Sequence, residues 1–91
     1  MFMNSAGEVL EIESVKGVDV WSGYKATKRC KYLENCGADN AYILVYKNNF
    51  GLIINGIQQI VNEDFSVVET YLEAYTEGVK FARGEGEYEI V

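Results

Sequence analysis

The chain has 91 residues, of which 48% are apolar and 24% charged, an ordinary globular composition that excludes intrinsic disorder and fibrous repeats. That length accommodates one domain, taken as residues 1–91. Fourteen acids and eight bases give a formal charge of −6, which favours basic partners and makes direct binding to nucleic acid or to an anionic membrane surface unfavourable.

The longest unbroken apolar run, Ala41 to Tyr46, is six residues against the roughly 20 that a membrane-spanning helix requires. No membrane partner is expected. The first eight residues lack the positive start and apolar stretch of a secretory leader, so a cytoplasmic protein is expected. Histidine is absent, which removes the imidazole base, the Ser-His and Cys-His nucleophile pairs and His-ligated zinc. Proline is also absent, so turns rest on Gly and Asn.

In chain order, the imperfect alternation of Glu8–Glu13 and the pattern Val18-Asp19-Val20-Trp21 beyond Gly17 read as two strands or one bent ribbon. Residues 24–33 are ambiguous. Tyr24, Ala26, Lys28, Cys30 and Tyr32 alternate as in a strand, whereas Lys25, Lys28, Arg29 and Tyr32 align on a helix, and the strand is preferred. Asn35–Asn40 is a loop, and the β-branched and aromatic run Ala41–Lys47 is a central strand. A turn over Asn48–Gly51 then lets Leu52–Ile54 return antiparallel, with Gly56 a further turn or bulge and Ile57–Val61 a continuation or a short separate strand.

A helix is expected from about 66 to 83, because Ser66 with Glu69 forms a capping box, Asp64 is an alternative cap, and Val68, Tyr71, Leu72, Tyr75, Val79 and Ala82 mark one face. Lys80 and Arg83 suit its last turn and Gly84 its C′ position. The alternating segment Glu85–Val91 reads as a final strand. The expected fold is α+β: a mostly antiparallel sheet of about five strands, one helix from the C-terminal half packed on one face, and a last strand.

Two charged constellations carry functional readings. Glu69, Glu73 and Glu77 recur at about 6 Å along the helix axis, and Glu85, Glu87 and Glu89 at about 6.6 Å on one strand face. Glu11 and Glu13 begin a third series. These spacings are comparable to the roughly 6–7 Å between phosphates of one DNA strand. The expectation is a non-catalytic protein that binds and modulates, as an inhibitor, another protein by presenting DNA-mimicking carboxylates to a basic nucleic-acid-binding surface, as small phage-encoded inhibitors do. The bland reading is a solvated helix face and a charge-protected edge strand.

Against this, Lys25, Lys28, Arg29 and Lys31 place four of the eight bases within seven residues, interleaved with Tyr24 and Tyr32 and close to Trp21. The alternative function is a nucleotide or small-molecule binder, in which Lys25, Lys28 and Arg29 hold an anionic group and Trp21 or Tyr24 stacks on it. The same basic segment could meet the acidic face of a second copy in a homodimer. Cys30 and Cys36 are read as reduced, without the spacing of a CxxC redox motif, and the adjacent Glu63 and Asp64 as cap and dipole residues. No catalytic residue, metal ligand or cofactor is expected.

Overall fold

The computed structural model describes residues 1–84. Five strands, β1 (Phe2–Asn4), β2 (Val9–Leu10), β3 (Ala41–Tyr46), β4 (Asn49–Ile54) and β5 (Ile57–Asn62), form one sheet in the order β2-β1-β3-β4-β5. Two helices, α1 (Val20–Asn35) and α2 (Phe65–Ala82), pack side by side, α1 over β3 and α2 over β4 and β5. The fold is α+β, as expected, with two corrections. The sheet is mixed, because β1 and β3 run parallel while every other neighbouring pair is antiparallel, and there are two helices where one was expected.

The second helix is α1, which replaces the strands expected at Val18–Trp21 and over 24–33. Asp19 caps it, its carboxylate accepting from the Ser22 N–H at 3.2 Å. The buried positions are Gly23, Ala26, Cys30 and Leu33, which follow the helical period but include one large aliphatic side chain. Small residues let the helix approach its neighbours, and they also remove the hydrophobic signal by which a helix is read. At Gly23 the approach is closest: a Cβ there would lie 2.5 Å from Ile12 Cγ2. Ile12 belongs to a 3₁₀ turn, Ile12–Ser14, which with the two-residue β2 takes the place of the longer strand expected over Glu8–Glu13.

The hairpins obey short-range turn chemistry. Asn55 and Gly56 both adopt positive φ, 54° and 76°, as a two-residue type I′ connection requires, so Ile57–Asn62 is a separate strand. The turn expected over Asn48–Gly51 is instead Lys47-Asn48, and Asn49, Phe50 and Gly51 already belong to β4. Between β4 and β5 the register shifts at Leu52/Ile53, so that Ile53 opposes Gln58 and Leu52 opposes Ile60, leaving Gln59 as the extra residue of a bulge.

The α2 boundary falls within a residue of expectation, but Asp64 rather than Ser66 is the cap. Ser66 donates both its N–H and its hydroxyl to Asp64 Oδ1, at 2.9 and 2.8 Å, and these bonds hold the Asp64 carboxyl below its ordinary pKa. At the other end Gly84 takes φ +82°, the left-handed conformation expected of a C′ glycine. Tyr71, Tyr75 and Val79 pack on the core beside buried Val68 and Leu72. Thr76 is also buried and satisfies its hydroxyl by donating to the Leu72 carbonyl at 2.7 Å. Phe65 fixes the helix start against Phe2 and Phe50, with ring centroids 5.6 and 5.4 Å apart.

Replacing glycine by alanine inside a helix ordinarily stabilises by about 0.5–1 kcal/mol. Gly78→Ala should show that gain, since nothing lies within 4 Å of its added methyl. Gly23→Ala should reverse the sign, because overpacking against the stiff Ile12 side chain costs about 1–3 kcal/mol. Thermal or denaturant unfolding of the two variants measures both; a stabilised Gly23→Ala would show that the Ile12 turn yields freely.

Candidate docking surface

The glutamates of α2 lie on its α1-facing and outer sides, and each has a cation beside it. Arg29 donates to Glu73 Oε2 at 3.0 Å, Lys25 Nζ lies 4.0 Å from Glu69 Oε2, and Lys80 Nζ lies 3.7 Å from Glu77 Oε1. Glu69 and Arg29 are the more enclosed members, with side chains 20% and 23% exposed. The expected rank of bare carboxylates on Glu69, Glu73 and Glu77 is therefore a set of ion pairs, two of which join the helices. Glu85, Glu87 and Glu89, with the strand expected to carry them, lie outside the described residues.

The same pairs divide the basic-aromatic segment. Lys25 and Arg29 turn toward α2, whereas Trp21, Tyr24 and Lys28 are exposed. The Tyr24 hydroxyl donates to Glu13 Oε1 at 3.2 Å, and that bond is the main reason its pKa is raised. A cleft of about 470 Å³ beside Tyr24 is bordered by Glu11 and Glu13, a lining that repels anions. Another, of about 440 Å³, sets Lys16 and Lys47 against Glu63 over an apolar floor of Leu10, Val15, Val45 and Phe50. The five residues expected to bind a nucleotide are not brought together around one cavity.

Cys30 and Cys36 are free thiols. Cys30 is buried in the core, and that burial pushes its pKa up to about 11. A thiol held protonated is a poor nucleophile. Among the described residues no group of three Cys, Asp or Glu side chains is placed to hold a metal ion, and no helix is long and apolar enough to cross a membrane.

The surface that sequence reasoning missed is the sheet face opposite the helices. No residue in any of the five strands is charged. Phe2, Ala41, Ile43, Phe50, Leu52 and Ile54 point into the core under the helices, so the pleat sends their neighbours outward. The register aligns Val9, Met3, Leu44, Gly51 and Val61 in one line across all five strands, with Tyr42, Ile53 and Gln58 in the next. Val9, Val61 and Tyr46 are 67%, 48% and 49% exposed. A sheet face turned to water normally carries polar side chains at alternate positions; here they are mostly Met3, Tyr42, Leu44, Tyr46, Ile53 and Val61, interrupted by exposed Asn49 and Gln58 and by buried Gly51, and Ile53 is only 7% exposed. At the rim, Lys47 holds φ +55° and sets its ammonium 5.3 Å from the centre of the Tyr46 ring.

Compared with protein-family models, curated proteins and solved structures, the chain matches none. Its residues alone carry the functional argument.

Two outcomes test this geometry. In the native protein at mildly alkaline pH, a thiol reagent should modify Cys36 and spare Cys30; mass spectrometry after proteolysis locates the label, and Cys30 should react on unfolding. A double-mutant cycle of Arg29→Ala with Glu73→Ala should give a coupling of about 0.5–1 kcal/mol, the range for a partly exposed pair, and a value near zero would mean that this pair contributes nothing to holding the helices together.

Proposed function

We propose that the protein is a non-catalytic binding module and that it recognises other protein through the outer face of its sheet. The observation that supports this reading is the uncharged line Val9-Met3-Leu44-Gly51-Val61, on the face that neither helix of the described residues covers. Apolar surface gathered on one face marks interaction sites.

This keeps binding to another protein as the activity and moves the contact surface. Imitation of a phosphate backbone by Glu69, Glu73 and Glu77 requires open negative charge, and the cations beside all three remove much of it. Nucleotide binding at Trp21, Tyr24, Lys25, Lys28 and Arg29 is likewise disfavoured by the diversion of Lys25 and Arg29 to α2. Modulation of the bound protein would follow from occlusion of its surface.

Comparing retention by immobilised protein separates the two surfaces. Leu44→Lys/Val61→Lys places charge on the sheet face, and Glu69→Gln/Glu73→Gln/Glu77→Gln neutralises the helix. The first should abolish retention of proteins that the wild type holds, and the second should leave it intact even at about 0.5 M salt, where charge contacts are screened within about 4 Å. The opposite pattern would return the function to the carboxylates of α2.

A further inference from the structure

We infer that the occupant of the outer sheet face is a second copy of this chain, the two sheets stacking face to face as an α/β/β/α dimer. The inference rests on the docking role proposed for that face and adds the identity of its partner.

Charge distribution selects the partner. A chain of −6 attracts basic surfaces, yet a basic partner finds no carboxylate among the strand residues of this face and would have to desolvate its own cations there without compensation. The face instead fits a neutral, apolar, gently twisted surface, and this chain carries one. Two copies are also both acidic, so their remaining charges must be kept apart. Stacked sheets lie about 10 Å apart, with each helix layer a further 10 Å or so behind. The ion-paired helices of the two copies would then be separated by nearly four Debye lengths of about 8 Å at physiological salt.

The dimensions set the strength of the contact. Five strands spaced about 4.8 Å apart and up to six residues long give a plan of roughly 24 by 20 Å, reduced where β1 and β2 are short. That plan is under about 480 Å² per copy, so two faces fall just below the roughly 1,000 Å² at which stable specific interfaces begin, the range of a weak, reversible dimer. The contact is self-complementary, so a two-fold axis closes it and no chain of further copies follows. Pairing through the edge of β5 would be the competing arrangement, but the bulge at Gln59 interrupts the row of backbone groups that edge-to-edge pairing needs.

Sedimentation velocity of the full chain from about 1 to 500 µM tests the inference, with acrylamide quenching of Trp21 read in parallel. The expected result is a dimer of twice the monomer mass, dissociating at least 100-fold more readily in Val61→Lys. That variant should keep its circular dichroism and melting temperature when monomeric, because Val61 is already half exposed. Trp21, 66% exposed on α1, should be quenched equally in monomer and dimer. Leu44→Lys provides a second disruption nearer the centre, and Glu73→Gln a substitution on the helix layer that should leave dimerisation unchanged.

A monomer at all concentrations overturns self-association; if Leu44→Lys/Val61→Lys still abolishes retention of other proteins, the docking reading survives without it. A dimer that tolerates Val61→Lys and Leu44→Lys, or one that shields Trp21, overturns pairing through the sheet, and the retention comparison then decides the docking reading separately.

Discussion

The architecture follows from an imbalance: five strands present two faces, and the two long helices cover one of them. Because α1 and α2 both pack on the face lined by Phe2, Ile43, Leu52 and Ile54, the core is closed on that side only. The outer face receives no helix from the described residues, yet its strands contain no charged side chain. Charge is confined to helices, turns and termini, and the sheet divides a charged layer from an apolar surface.

How much was legible in the sequence depended on where each side chain obtains its burial. The β3–β4–β5 meander was readable because Ala41–Tyr46 is dense in β-branched and aromatic residues and Asn55-Gly56 has the chemistry of a tight hairpin. Helix α2 was readable because large apolar residues repeat along its buried side. Helix α1 was hidden by Gly23, Ala26 and Cys30, whose small size permits close packing and suppresses periodicity, although Asp19 and Ser22 supplied a cap signal. The parallel β1–β3 pair was beyond local reading, because three residues near the N-terminus pair with a strand 41 positions later and nothing in Phe2-Met3-Asn4 encodes that partner.

The candidate site shows the same asymmetry. Spacing gave the positions of Glu69, Glu73 and Glu77 along α2 correctly, since helical period is a local property. Their partners were not local, because Lys25 and Arg29 belong to a segment whose helical state had to be known first. The outer-face residues were visible only as strand apolar residues; that they face away from the core depends on the placement of both helices over the opposite side.

The ion pairs have a structural reason that needs no external partner. Lys25 pairs with Glu69 and Arg29 with Glu73, four residues onward on both helices, so α1 and α2 run in the same direction. Chain connection agrees with this: β3 and β5 are parallel to one another through β4, α1 leads directly into β3, on which it packs, and α2 follows directly from β5, on which it packs in part. Parallel neighbouring helices place like ends of their macrodipoles together, an arrangement without the compensation available to antiparallel helices. Glutamates at four-residue spacing also repel by a few tenths of a kcal/mol per pair. Cations from α1 relieve that repulsion and fix the longitudinal register of the helices at the same time. Glu69 and Glu73 are thus explained by the helix beside them and Glu77 by Lys80 of its own helix, which leaves the uncharged sheet face as the feature that these internal contacts do not explain.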